Sequence, residues 1–235
     1  MNYKWSYYYN LSKQFFRFAL AGKGFMRTDN VIRDEYEDNW KKSERMIANL
    51  DKKQKKNWLL YSQPVISSRL QYTKTYMKRI NQEMANAESV LELGGGNGLN
   101  LLLLAVLNPR IKILRSIELT QSGIQMAEQL YANPPIREIS QITDIPPETV
   151  AQRLHGRDVK FLMGDMRNLP FEAETFDGVF SRLAIEQMPR HYPQIFSEAF
   201  RVTKNNGVGI FIEAFRDVQN IFNLMYGKIN LEVQL

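Results

Sequence analysis

The sequence of 235 residues contains no cysteine and only two histidines, His155 and His191. The lack of thiols excludes disulfides and thiolate metal sites, and two histidines leave little for a histidine-based metal centre, so we expect no metal. The longest apolar run, residues 101–107, is far shorter than the roughly 20 residues that cross a membrane. The N-terminus lacks the apolar core of a secretory signal, and together these absences predict a cytoplasmic protein.

Excess positive charge is absent from most of the chain. Residues 1–60 hold 13 basic and 7 acidic residues, whereas residues 61–235 hold 18 of each. An enzyme that acts on nucleic acid usually spreads basic residues along its binding face, so the neutral body does not favour a nucleic-acid partner. The aromatic and basic residues 1–60 favour a helical cap on the main domain; the alternative is an amphipathic helix that contacts an anionic membrane surface. Nothing in the sequence indicates the oligomeric state.

Strand and helix patterns alternate through residues 61–235. Strands are predicted at 89–93, 111–119, 159–164, 176–181 and 207–215, and helices at 66–84, 122–131 and 192–203. This order predicts an α/β fold, a Rossmann-like doubly wound and mostly parallel sheet with helices on both faces. Residues 1–60 would form an N-terminal helical extension, and Ser122 would cap its helix. Residues 133–158 would form a helical insertion, interpreted as a flap beside the mouth of the site.

The segment "LELGGGNGLN", residues 91–100, places four glycines between a strand and a helix. Glycine is unfavourable inside either element, so the loop indicates a backbone that turns tightly and lies against a ligand. The glycine spacing does not match the dinucleotide fingerprint. Glu92 at the end of the strand would repel a pyrophosphate but suits a ligand with an ammonium group. Glu118 ends the second strand, where a carboxylate can accept both hydrogen bonds of a ribose diol.

Four segments in order resemble the class I S-adenosylmethionine-dependent methyltransferases. The resemblance is to the subgroup of the ubiquinone and menaquinone biosynthesis and small-molecule methyltransferases, and it covers residues 66–216. The segments are the glycine loop, "SIELT", "MGDMRNLPFEAETFDGVFSRLAIEQMP" and "AFRVTKNNGVGIFIE". The resemblance implies S-adenosyl-L-methionine as the cofactor and a small-molecule acceptor.

The resemblance implies a role for each residue at the ends of the first two strands. Glu92 would set the loop and face the methionine end of the cofactor. Gly94 and Gly96 would lie against the cofactor. Glu118 would bind the ribose hydroxyls, and Leu119 would pack on the adenine.

The resemblance assigns further contacts to the third and fourth strands. Asp165 would accept a hydrogen bond from the adenine amino group, and the backbone N–H of Met166 would donate to the adenine ring. Ser181, followed by Arg182, ends the fourth strand where backbone carbonyls usually meet the methionine amino group.

Catalytic residues are not carried over, because the family offers none that all members share. Glu186 and His191 follow the fourth strand and are the candidates for a general base; Glu186 is also a candidate for orienting the acceptor. The expected reaction is methyl transfer to a small molecule of aromatic, natural-product or lipid-like character. The alternatives are an RNA or protein methyltransferase, and a non-catalytic binding subunit that keeps the fold.

The end of the chain departs from the family pattern. The family fold normally closes with a β-hairpin, whereas "NLEVQL" could supply one strand at most, after a helix-like "DVQNIFNLMYGKI". Either the chain is truncated, or part of the sheet is lost or supplied by another chain.

Overall fold

The computed structural model describes residues 28–42, 53–55, 66–213 and 230–234. The chain divides into two compact units, residues 1–35 and 36–235. Most of the predicted cap, residues 1–60, lies outside the described residues, as does the helix-like "DVQNIFNLMYGKI". The domain boundary at residue 60 therefore stays a prediction.

The elements of the described residues follow the predicted alternation. They are α1 (Asp29–Lys42), β1 (Lys53–Lys55), β2 (Ile66–Ser68), α2 (Arg69–Glu83), β3 (Ser89–Leu93), α3 (Leu99–Leu107), β4 (Ile113–Glu118), α4 (Gln121–Ala132), α5 (Ile136–Thr143), α6 (Pro147–Leu154), β5 (Asp158–Met163), β6 (Phe176–Arg182), α7 (Tyr192–Val202), β7 (Thr203–Glu213) and β8 (Asn230–Gln234). In the part of the chain that the structure describes, no helix is long and apolar enough to cross a membrane.

Six strands form one sheet in the order β5-β4-β3-β6-β7-β8. The first five are parallel, and β8 joins the edge antiparallel to β7, so "NLEVQL" supplies one strand as predicted. The strand order runs in opposite directions from β3, and right-handed crossovers therefore put α3 and α4 on one face and α7 on the other. The predicted doubly wound α/β fold is confirmed, with its switch point between β3 and β6.

The core lies largely between the sheet and α3. Because α3 is apolar on all sides, it is buried by the sheet on one side and by α2, α5 and α6 on the other. Full burial of one such aliphatic side chain contributes about 1.5–3 kcal/mol to folding. The buried residues of α3 are Leu101, Leu102, Leu103, Leu104, Ala105 and Val106.

Two local predictions are wrong. Ser122 does not cap its helix: α4 begins at Gln121, and the side chain of Thr120 accepts the Gly123 N–H at 3.3 Å. The predicted helix 66–84 begins only at residue 69, because residues 66–68 pair with β1 as an antiparallel strand. The first error arose from a neighbouring capping residue, and the second from pairing with a segment more than ten residues away.

The insertion at residues 133–158 forms the helices α5 and α6, but these are not a flap at the mouth. They pack on α2 and α3. Arg153 donates to the carbonyl of Val106 at 2.8 Å, and Arg157 donates to that of Pro109 at 3.0 Å. Both carbonyls lie at the end of α3 remote from the glycine loop. The apolar faces of α5 and α6 therefore extend the helical layer, which corrects the flap interpretation.

Candidate cofactor site

The glycine loop lies at the switch point, against the carboxyl ends of β3, β4 and β6. Gly94 has φ of 69° and donates its N–H to Ile117 at 2.8 Å. A Cβ on Gly94 would lie 2.3 Å from Cβ of Ala184, which follows β6. A side chain is therefore excluded at Gly94 both by backbone conformation and by space.

Gly95 and Gly98 are also required by packing within the protein. A Cβ on Gly95 would lie 1.9 Å from Oγ of Ser116 in β4. A Cβ on Gly98 would lie 2.7 Å from the ring of Phe161 and 2.8 Å from Ala127. Packing within the protein thus accounts for Gly95 and Gly98, and Gly94 and Gly96 stay the predicted cofactor contacts.

Trp40 of α1 lies on Gly96, which the sequence did not predict. Gly96 has φ of 54°, and a Cβ there would lie 2.6 Å from Cζ2 of the indole. The same helix is also hydrogen-bonded to the start of α4: the Ser122 hydroxyl donates to the carbonyl of Glu37 at 3.1 Å. A ligand that uses this face of Gly96 must share the space with the indole or displace it.

Glu92 has a buried carboxyl group, and only one of its two oxygens has a hydrogen-bond partner among the described residues. It is 1% exposed, and its Oε1 accepts a hydrogen bond from Asn100 at 2.9 Å. Its Oε2 is buried and has no hydrogen-bond partner among the described residues. Burial raises the pKa of Glu92 to about 8, although the Asn100 bond and the charge of Arg182 act against the rise. A buried acceptor without a partner is costly, and an ammonium group of a ligand would satisfy it.

Glu118 ties the glycine loop to the end of β4. Its Oε2 accepts the N–H of Gly96 at 2.9 Å, and its Oε1 accepts from the N–H and the hydroxyl of Thr120, at 3.1 and 2.6 Å. Each carboxylate oxygen has two lone pairs, and these three bonds leave one position, on Oε2, for one hydroxyl of a ribose diol. Leu119 is half-buried beside it, in a position compatible with the predicted adenine contact.

Asp165 is held by a residue that the sequence analysis did not single out. Arg167 contacts both oxygens of Asp165 through Nε at 2.9 Å, and its Nη2 lies 2.6 Å from Oδ2. Burial alone would raise the pKa of Asp165, but these hydrogen bonds and the charge of Arg167 hold the pKa below its ordinary value. Met166 is buried, with its Cε 3.6 Å from the position of a Cβ on Gly94. The residues after β5 thus reach the same crevice.

His191 belongs to the same arginine cluster. Its Nε2 lies 3.1 Å from Nη1 of Arg167. A guanidinium can only donate, so this contact needs an unprotonated Nε2 and uses its lone pair. The geometry therefore engages His191 with Arg167, and both base candidates stay predictions.

Glu213 at the end of β7 is a third buried acid at the strand ends, and the sequence analysis missed it. Its Oε1 accepts the hydroxyl of Ser181 at 2.6 Å, and its Oε2 accepts the N–H of Glu186 at 3.2 Å. Burial raises the pKa of Glu213 to about 7, against the bond from Ser181. The available signal was the one that identified Glu92 and Glu118: an acid that ends an apolar strand.

Comparison with known proteins agrees with this geometry. A family model described as "Methyltransferase domain" matches residues 91–211, a little more than half of the chain. A candidate sarcosine dimethylglycine methyltransferase from Galdieria sulphuraria is 14% identical, with a TM-score of 0.51 over 77% of this chain and 59% of that chain. That likeness shows the fold.

Two further solved structures are less similar in shape. A candidate methyltransferase from Bacillus halodurans C-125 is 22% identical, with a TM-score of 0.48 over 65% of this chain and 55% of that chain. Phosphoethanolamine N-methyltransferase 1 of Haemonchus contortus, solved with phosphoethanolamine and S-adenosylhomocysteine, is 16% identical, with a TM-score of 0.47 over 80% of this chain and 33% of that chain. This chain spans about half the length of the solved structures that it matches first.

The chain belongs to the methyltransferase-domain family, and its fold is that of the class I S-adenosylmethionine-dependent methyltransferases. The predicted class and its cofactor, S-adenosyl-L-methionine, are confirmed at this level. The ubiquinone and menaquinone subgroup stays a prediction. The site fits the cofactor in its chemistry, because the glycine loop adjoins a buried carboxyl oxygen of Glu92 that has no hydrogen-bond partner among the described residues. The indole of Trp40 covers Gly96 in this structure.

Proposed function

We propose that this protein transfers a methyl group from S-adenosylmethionine to a small-molecule acceptor. The observation that carries the proposal is the glycine loop with Glu92 on one side and Glu118 on the other. The neutral balance of charge in residues 61–235 supports a small acceptor over RNA. A cytoplasmic location and a membrane contact through residues 1–60 stay predictions.

In this proposal the residues of the crevice bind the cofactor and orient it toward the acceptor. When bound, the cofactor supplies an activated methyl group on its sulfonium. Glu92 holds the ammonium group, and Glu118 accepts from a hydroxyl of the ribose diol while it keeps the N–H of Gly96. Asp165 accepts from the adenine amino group, the N–H of Met166 donates to the ring, and Leu119 packs on it. Alignment of an acceptor behind the methyl group can account for much of the rate enhancement.

The acceptor would lie over the ends of β6 and β7. Glu186 follows β6 in a short 3₁₀ turn, Ile185–Gln187, and its backbone N–H is fixed by Glu213. Its Oε1 accepts from the side chain of Gln187 at 2.9 Å. Glu186 would remove a proton from the acceptor or would orient the acceptor. His191 is bonded to Arg167 and would help to hold Asp165 in place through that arginine.

Release of S-adenosylhomocysteine tests the proposal directly. The full chain is incubated with S-adenosylmethionine and separate panels of small aromatic, amine and lipid-like acceptors, total RNA, and an unrelated protein mixture. We expect product only with a small-molecule panel, and loss of turnover in Glu118→Ala. Product with RNA or protein alone would contradict the small-acceptor assignment. A protein that binds the cofactor but turns over no panel would support the non-catalytic alternative.

A further inference from the structure

Arg182 is an arginine that forms no ion pair with an acid among the described residues. Its guanidinium carbon lies 4.2 Å from the ring centre of Tyr76 and 5.3 Å from that of Tyr72, both on α2. Its Nε is buried and has no hydrogen-bond partner among the described residues. Aromatic rings hold a guanidinium plane in place but do not satisfy its N–H groups.

The strand register places Arg182 beside Glu92. Glu92 of β3 pairs with Phe180 of β6, and Arg182 lies two residues further along β6. Because side chains alternate along a strand, Glu92 and Arg182 lie on the same face of the sheet. From the strand spacing and the rise of two residues, their Cα atoms are about 8 Å apart.

The two residues are also linked through the start of α3. Tyr76, which stacks on the guanidinium, donates its hydroxyl to Oδ1 of Asn100 at 2.9 Å. The amide of Asn100 in turn donates to Oε1 of Glu92 at 2.9 Å. This chain of contacts connects the two side chains, and among the described residues Oε2 of Glu92 and Nε of Arg182 have no hydrogen-bond partner.

We propose that Arg182 binds the α-carboxylate of the cofactor while Glu92 binds its α-ammonium group. This inference rests on the proposed function and adds to it a residue that selects for the carboxylate. A buried acceptor and a buried donor on one face, each without a partner, match the two charges that an amino-acid zwitterion carries on a single carbon. A guanidinium is well suited to the task because its planar fork matches a carboxylate.

Two ligands that differ only in the carboxylate test the proposal. Calorimetry measures the binding of S-adenosylhomocysteine and of its decarboxylated analogue to the full chain. The wild type should prefer the carboxylated ligand, and Arg182→Gln should lose about 10- to 100-fold in affinity for it, the range of a charge-assisted hydrogen bond. The affinity of the same variant for the decarboxylated ligand should change by less than about twofold, because that ligand has no group for Arg182 to bind.

The controls separate binding from structure. Arg79→Gln, which removes an exposed arginine that pairs with Glu83 on the surface of α2, should leave both affinities unchanged. Arg182→Lys should restore part of the preference, since it keeps the charge and loses the fork. Equal weakening of both ligands in Arg182→Gln, or no weakening of either, would overturn the proposal and leave the proposed function standing. Failure of the wild type to bind either ligand would contradict the proposed function itself.

Discussion

Replacement of Glu92 by glutamine should stabilise the ligand-free protein, increasingly so as the pH rises. The side chain keeps its shape, and its oxygen can still accept the hydrogen bond that Asn100 donates. The change removes a carboxyl group that is difficult to ionise in its buried position. Burial raises the pKa of Glu92 to about 8, from the ordinary value of 4.5.

The size of the effect follows from proton linkage. Above pH 4.5 the unfolded chain releases the Glu92 proton while the folded protein keeps it, so the free energy of unfolding falls as the pH rises. The loss is about 1.4 kcal/mol per pH unit and ends near the folded pKa of about 8, for a total of about 5 kcal/mol. Glutamine does not titrate. The difference in free energy of unfolding between Glu92→Gln and wild type should therefore increase by about 1.4 kcal/mol per pH unit from pH 5 to 8 and then stay constant.

Urea unfolding at half-unit steps from pH 5 to 9 measures this difference. Glu128→Gln, on the exposed side of α4, is the control for loss of a surface carboxylate. A difference between Glu92→Gln and wild type that stays constant over the whole range would refute the reasoning. Saturating S-adenosylhomocysteine should narrow the difference above pH 7, because its ammonium group would stabilise the ionised carboxylate of the wild type alone.

Three further substitutions have separate expected outcomes. Gly94→Ala should abolish binding of S-adenosylhomocysteine in calorimetry, because the new methyl group meets Ala184 at 2.3 Å and φ of 69° disfavours it; unchanged affinity would contradict this. Trp40→Ala should speed association in stopped-flow experiments, because the indole no longer covers Gly96; a slower rate would show that Trp40 assists binding. Asp177→Ala should lower the melting temperature and leave the affinity unchanged, because Asp177 accepts the two N–H groups that begin β3, at 2.9 and 3.0 Å.

The stabilising contribution of Asp177 should also depend on pH. Burial alone would raise its pKa, but bonds from Lys204 and Ser89 outweigh burial and lower the pKa to about 2. Its contribution is therefore complete above the ordinary value near 4 and is lost as the pH falls toward 2. The melting temperatures of wild type and Asp177→Ala should converge as the pH falls toward 2, and parallel curves would contradict the assignment.

Strand ends and glycine spacing predicted much of the site from the sequence. Glu92 and Glu118 each follow an apolar strand, and parallel strands bring their carboxyl ends to one edge, so their proximity follows from the fold. The cofactor contacts of Gly94 and Gly96 are implied by the family resemblance and stay predictions.

The remaining features depend on contacts between distant parts of the chain. The packing of Trp40 on Gly96 and the stacking of Arg182 on Tyr76 have no periodicity that a sequence pattern could show. The prediction of the cap of α4 was wrong for a different reason, since Thr120 and Ser122 are both good capping residues two positions apart. In that case only the folded backbone decides between them.

A crystal soaked with S-adenosylhomocysteine tests the central claim most directly. The account predicts density for the ligand along the glycine loop, with the ribose diol on Glu118, the ammonium group on Glu92 and the indole of Trp40 displaced from Gly96. A fully soaked crystal in which the indole still covers Gly96 and the ligand is absent, or bound elsewhere, would contradict it.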